Sequence, residues 1–197
     1  MIFRETLELV KPAVEHGPAY LAMVDESIQA GEEYGHNNVE LARKDFAQFV
    51  RELEEEAAGI GLPPGLPAQQ TYLLLKNGRL VVGEIRFRPN LTPPYEKYSG
   101  HVGYNISPSQ RGKGYATRQL ALLLDEARKL KLSGISLIID DENPASVRVI
   151  EKNGGKLLQV IENPVKAKII VTDDNELRVV DVVRTGQKLD LYWISLT

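Results

Sequence analysis

The chain has 197 residues, 43% apolar and 26% charged, with no cysteine and a formal charge of −3, enough material for one domain with a real core. The lack of cysteine excludes disulfides, thiolate metal sites and a cysteine nucleophile, and the slightly negative balance gives no general nucleic-acid footprint. No apolar run approaches a membrane span and the opening MIFRETLELVKP is too charged for a signal segment, so a soluble, cytoplasmic protein engaging neither membrane nor nucleic acid is expected.

Met1 to Val10 alternate loosely and predict an edge strand that stops before Pro12. Leu21, Val24 and Ile28 share a helical face, closed by Gly31. Asn38 suits the cap of a second helix, in which Val39, Ala42, Phe46, Phe49 and Leu53 make one apolar stripe. Its acidic end, RELEEEAAG, reads as a solvated face rather than a metal site. The Gly/Pro-rich stretch 59–70 is a connector inside one domain. Two β-rich runs then flank Lys76-Asn77-Gly78-Arg79, where Asn-Gly predicts a hairpin.

A loop over 89–98, with three prolines and two tyrosines, leads into a strand over 100–106. Ala116, Leu120, Leu123, Leu124, Ala127 and Leu130 stripe the next helix, and GISLIID (134–140) is short and apolar throughout, as a buried strand should be. Asn143, Pro144 and Gly154 bound a further short helix, and 155–195 reads as strands. The order predicts a mixed α/β fold, one domain over 1–197.

The stretch ISPSQRGKGYATRQL (106–120) sits where a strand hands over to a helix. Free backbone N–H groups at the positive end of a helix dipole make an anion site, and glycine lets a phosphate approach closely. The bland alternative is a tight turn with Arg111 and Lys113 in solvent. A Walker loop fails because Gly114 precedes Tyr115, and a dinucleotide fingerprint lacks its third small position. What remains is Gln110-Arg111-Gly112-Lys113-Gly114-Tyr115-Ala116.

That stretch resembles the pyrophosphate loop of the GCN5-related N-acetyltransferases, and DENPASVRVIEKNGG resembles the element that follows it in that family. The resemblance is strongest over 71–160 and fits the N-terminal helices more loosely, as in a poorly characterised bacterial branch; 162–187 matches nothing. It implies a mostly antiparallel sheet with a splayed parallel strand pair (101–106 and 135–140) and helices on both faces. It implies acetyl-CoA as co-substrate, without metal, and an amine of a small molecule or peptide as its partner. Cofactor contacts then fall on Tyr104, Asn105 and Ile106 for the pantetheine, on Arg111, Gly112, Lys113, Gly114, Tyr115 and Ala116 for the pyrophosphate, and on Asn143 and Ser146. Asn143 is equally well suited to capping alone.

Attack of an amine on a thioester needs a base, oxyanion donors and an acid for the thiolate. Backbone N–H at Asn105 or Ile106 suits the oxyanion. The tyrosine acid that the family places seven residues after the helix asparagine is Ile150 here, which has no proton to give; a CoA thiolate leaves with little help near neutral pH. Glu84 shares a strand face with Arg86 and Arg88, so it is either a base beside an anion-binding pair or part of a solvated face. His101 is a second base candidate by its ordinary pKa near 6.5. Tyr104 is a cofactor wall or a proton donor. Tyr95 and Tyr98 would form a lid over the acceptor, with Arg86 contacting substrate. His16 and His36 lack metal-ligand company and read as structural. A homodimer contact would fall to the strand-rich C-terminus. A CoA-binding protein without catalysis, and an enzyme using the loop for another phosphate, are the competing readings.

Overall fold

The computed structural model describes residues 5–32, 37–162, 168–171, 177–181 and 188–197. Strand β1 (Leu7–Val10) leads to helices α1 (Gly17–Gln29), α2 (Val39–Lys44) and α3 (Phe46–Ala58). The hairpin β2 (Gln70–Lys76) and β3 (Leu80–Phe87) follows, then α4 (Pro93–Tyr98), β4 (Val102–Ile106), α5 (Tyr115–Lys129), β5 (Gly134–Asp140) and α6 (Pro144–Lys152). Four strands close the chain: β6 (Lys156–Glu162), β7 (Lys168–Val171), β8 (Leu177–Asp181) and β9 (Lys188–Ser195).

The expected hairpin forms. Asn77 (φ 53°) and Gly78 (φ 67°) both occupy the left-handed region, as a turn matching the strand twist requires. β1 is an edge strand, in the order β1-β2-β3-β4, all neighbours antiparallel. Strand alternation sends adjacent leucines to opposite faces. Leu73 packs with Tyr20, Val24, Phe49 and Leu53 of α1 and α3, whereas Leu74 packs with Val82, Ile106 and Tyr115 of the α5 side. The largest core joins Ile85, Phe87 and Val102 to Leu120, Leu123 and Leu124 of α5 and to Ile135, Leu137 and Ile150. Helices therefore cover both faces of a mixed, mostly antiparallel α/β fold.

A second sheet has the order β5-β9-β6, and β7-β8 form a separate hairpin. β4 and β5 lie in different sheets, joined by one bridge of antiparallel type between Gly100 and Leu137 and by the His101 N–H donating to the Ser136 carbonyl at 2.8 Å. Past that join no β4–β5 ladder forms among the described residues, and the splayed gap is what makes room for a site.

Three expectations change in detail. The second helix is two, because Asp45 adopts extended backbone and its carboxylate accepts from the Gln48 N–H, starting a new helix. The loop over 89–98 contains α4, its first turn set by Pro93 and Pro94. The face of Glu84, Arg86 and Arg88 is not solvated: Glu84 is 1% exposed and Arg88 7%. Arg4, Met1 and their neighbours, and His36, lie outside the described residues.

Candidate active site

Between β4 and α5 the chain makes a single 3₁₀ turn, Pro108–Gln110, then passes through Gly112 (φ 73°) and Gly114 (φ 81°). Gly114 is the cap of α5 and offers no side-chain acceptor, so the first amides of that helix have no capping side chain. A Cβ built on either glycine meets nothing within 4 Å. Glycine is thus required by conformation, and the space beside the backbone is open. These features fit a pyrophosphate, which takes backbone N–H donors at the positive end of a helix.

A cleft of about 790 Å³ opens over this loop. Tyr104, Asn105, Ile106, Arg111, Gly112, Gly114, Tyr115, Ala116, Asn143 and Ser146 all line it, so ten positions expected from the sequence meet in one place. The ladder fixes which β4 amides face outward. Arg88 N–H donates to the His101 carbonyl and Ser107 N–H to the Val82 carbonyl. Alternation then turns 103, 105 and 107 toward β3, and 102, 104 and 106 toward the open edge, while residue 101 is divided, its carbonyl toward β3 and its N–H toward Ser136. The Ile106 carbonyl indeed accepts from Arg111 Nε at 3.0 Å. Of the two oxyanion candidates, Ile106 therefore has the outward amide and Asn105 does not.

The two cations of the loop are engaged rather than free in solvent. Arg111 makes a bidentate pair with Glu32 at the end of α1, both contacts 2.6 Å, which raises its pKa further. Lys113 Nζ donates to the Ser109 carbonyl and Gln110 Oε1 and does not line the cleft. Glu26 of α1 accepts from Ser107 Oγ and Ser109 N–H, both at 2.5 Å. Burial pushes Glu26 up, but those bonds and the Arg111 charge hold it below the ordinary carboxylate value. Helix α1 is thereby tied to the loop.

Among the lining residues that the sequence reading did not name as contacts are Glu32, Thr117, Arg148 and Lys152. Arg148 and Lys152 stand four apart on α6, a spacing that stacks them on one helix face and marked them once Asn143 was suspected. Glu32 had no such mark.

Asn143 caps α6, its Oδ1 accepting from the Ser146 N–H at 3.0 Å, and lines the cleft as well. The Tyr104 hydroxyl is buried without a hydrogen bond. Burial raises its pKa, with the Ser146 hydroxyl nearby opposing the shift, so the phenol stays protonated. Ile150 points into the core, 0% exposed, with its Cγ2 2.2 Å from where a Cβ on Gly155 would sit. A tyrosine cannot be accepted there. Ile150→Tyr is expected to cost about 1–3 kcal/mol from overpacking, roughly 2–4 °C of melting temperature per kcal/mol in a chain this size, and to give no gain in turnover. A thermal scan and an assay of CoA release check this.

Glu84 and His101 lie outside the cleft lining. Glu84 is buried beside its cross-strand partner Asn105, and burial raises its pKa while Arg86 and the Tyr20 hydroxyl oppose the shift and Glu56 adds to it. Its Oε1 lies 3.5 Å from Arg86 Nε, and neither of its oxygens has a hydrogen bond. Arg88 donates from Nη1 to the Gly100 carbonyl and lies 4.9 Å from the Tyr95 ring centroid. Tyr95 and Tyr98 are half-buried on α4, and Lys97 lies 5.0 Å from the Tyr98 ring centroid. The His101 ring accepts the Ser136 N–H at Nδ1, 3.0 Å away, so its own proton resides on Nε2. Burial lowers the His101 pKa and keeps the ring neutral. His101 braces the β4–β5 junction. His16 likewise works locally, its Nδ1 accepting from the Ala13 N–H.

Among the described residues no helix is long and apolar enough to cross a membrane, and no three potential metal ligands cluster. No curated protein matches the chain in sequence. Solved structures do match in fold. Mycobacterium smegmatis RimJ in complex with CoA-disulfide shares 17% identity at a TM-score of 0.68, over 96% of this chain and 81% of that one. RimL, a ribosomal L7/L12 alpha-N-protein acetyltransferase in complex with coenzyme A, shares 18% at 0.63, over 96% and 94%. The microcin C7 self-immunity acetyltransferase MccE, in complex with acetyl-CoA and AMP, shares 15% at 0.63, over 96% and 92%. The family model described as "Acetyltransferase (GNAT) domain" matches residues 6–156. The chain belongs to the GNAT acetyltransferase family.

Proposed function

We propose that the protein transfers an acetyl group from acetyl-CoA to an amine of a small molecule or peptide. The observation that carries this reading is the cleft itself: an uncapped helix start, two left-handed glycines and the outward edge of β4 converge on one volume. Acetyl-CoA supplies the activated thioester. The amides of Gly112, Gly114, Tyr115 and Ala116 hold its pyrophosphate, and the outward backbone of Tyr104 and Ile106 holds the pantetheine. The Ile106 N–H donates to the carbonyl oxygen as negative charge develops there. The Tyr104 hydroxyl, protonated and without a partner, donates to the departing sulfur in place of the acid that Ile150 cannot supply. Glu84, buried beside Tyr20, takes the amine proton through water: its cross-strand partner Asn105, on the same sheet face, lines the cleft.

The test is the melting temperature with acetyl-CoA, CoA, ATP and NAD, followed by free-CoA release over an amine panel. Stabilisation by the two CoA species alone, with release on adding an amine, supports the assignment. An equal rise with ATP would sink it. CoA-selective stabilisation without release over a broad panel would favour a binding protein, a reading that the sealed Glu84 keeps in play.

Arg148 and Lys152 complete the phosphate end. Replacing both with alanine is expected to weaken CoA binding roughly tenfold, about 1.4 kcal/mol, and to flatten its dependence on salt. Titration calorimetry at two ionic strengths reads both effects.

A further inference from the structure

Four buried polar atoms without a hydrogen bond gather on one face of β3: both carboxylate oxygens of Glu84, Arg86 Nε and, from α1, the Tyr20 hydroxyl. A buried polar group left unpaired is costly, and a cluster of them calls for a partner. Glu84 and Arg86 do not satisfy each other: at 3.5 Å between Oε1 and Nε they form a loose ion pair and no hydrogen bond. The neighbouring charges are engaged elsewhere, Glu56 accepting from Gln69 Nε2 at 3.2 Å and Arg88 donating to the Gly100 carbonyl.

The unpaired atoms have opposite demands. Arg86 Nε offers a proton and the Glu84 oxygens accept one, so a ligand with only one kind of group meets half of the cluster. Across the strand, Glu84 stands opposite Asn105, which lines the cleft, and Arg86 stands opposite Gly103. Gly103 is not among the left-handed glycines, so its conformation does not demand glycine. A Cβ built there meets only Arg86, whose Nη2 lies 3.9 Å away. Glycine inside a strand weakens the sheet and often marks the close approach of a ligand. Here the missing side chain leaves room beside a guanidinium that is 20% exposed.

We infer that the acceptor amine carries a carboxylate, and that Arg86 holds it over Gly103. The inference deepens the acetyl-transfer reading and rests on it. A guanidinium takes a carboxylate through parallel N–H donors. Gly103 lies two residues along β4 from Asn105, about 6–7 Å, which suits a carboxylate a few bonds from the nitrogen. The ammonium of the same molecule gives one proton through water to Glu84. Its nitrogen then bonds to the acetyl carbon as the carbon–sulfur bond breaks, and the nitrogen's next proton ends on the CoA sulfur.

The probes are glycine, β-alanine and 4-aminobutyrate, each against its own amide, which keeps the amine and removes the negative charge. In free-CoA release the acid of at least one pair is expected to exceed its amide in kcat/KM by roughly 10–100-fold. Arg86→Met keeps an apolar stem and is expected to erase that preference by raising KM for the acid. Gly103→Val leaves Glu84 and Arg86 in place and covers the guanidinium. Its Cβ makes only ordinary contact, so the fold and the rise in melting temperature with acetyl-CoA should persist while the preference is lost. Equal use of acid and amide, a preference for the amides, or an acid preference that survives in either variant overturns the inference and leaves acetyl transfer standing. If no amine releases CoA, the transfer reading falls, and calorimetric titration of the same pairs into the CoA-bound protein decides the carboxylate site. Acid-selective binding lost in both variants supports it; no binding, or equal binding of acid and amide, overturns it.

Discussion

In the double variant Gly112→Glu/Gly114→Glu, acetyl-CoA is expected no longer to raise the melting temperature. In the wild type, a ligand at a hundred times its Kd that binds only the folded state adds about 2.7 kcal/mol, or roughly 5–10 °C here. The variant loses this for two reasons. Each glycine has φ above 70°, and a side chain forced into that region costs about 1–2 kcal/mol. Both new carboxylates also project into the open space over the loop, where the proposed pyrophosphate lies. Since a Cβ there meets no protein atom, the fold survives, and the circular dichroism spectrum should match the wild type. The kcat/KM for acetyl-CoA should fall at least about a hundredfold, close to 3 kcal/mol. A CoA-selective rise that persists in the variant would remove the loop from the binding site.

Glu84→Gln separates chemistry from architecture. As general base, Glu84 contributes roughly 10²–10⁴ in rate, so kcat should fall by that order while the KM for acetyl-CoA holds, and the acid limb of the pH profile should vanish. Its pKa also has a consequence for stability. The folded state keeps the proton to a higher pH than the unfolded chain, whose glutamate titrates near ~4.3. Between those two values the folded state binds more protons, so wild-type stability falls as pH rises from the unfolded value through the folded one. Glutamine does not titrate, and the variant should lack that decline, gaining on the wild type as pH increases. Chemical denaturation at a series of pH values rising from that of the unfolded glutamate records it. A flattened stability profile with unchanged kcat would leave Glu84 as a buried structural acid and send the search for the base elsewhere.

What was legible in the sequence was what lies close together along it. Gly112, Gly114 and the helix start after them are contiguous, and so are Asn77-Gly78 and the cap at Asn143; local chemistry decided each. Partners distant in sequence were not legible. Arg111 read as a rim cation because Glu32, which holds it, stands 79 residues away. The face of Glu84, Arg86 and Arg88 was correctly grouped by alternation, but alternation cannot tell what covers a face, and α1 with Tyr20 covers this one. The split at Asp45 was hidden because the apolar stripe from Val39 to Leu53 keeps its period across the break, while the side chain of Asp45 competes locally for an amide.

Gly100 does not line the cleft, yet it gauges the site. Among the described residues it holds the one bridge between the two sheets, at φ 74°, and an added Cβ would stand 2.7 Å from the Ser136 carbonyl oxygen. Its lone hydrogen is the spacer on which the two halves of the fold rest, and β4 and β5 diverge from that contact like the blades of a caliper. A larger residue there would push on backbone, which has nowhere to go, and the displacement would grow along the blades toward the mouth. The aperture of the cleft is therefore calibrated at its apex.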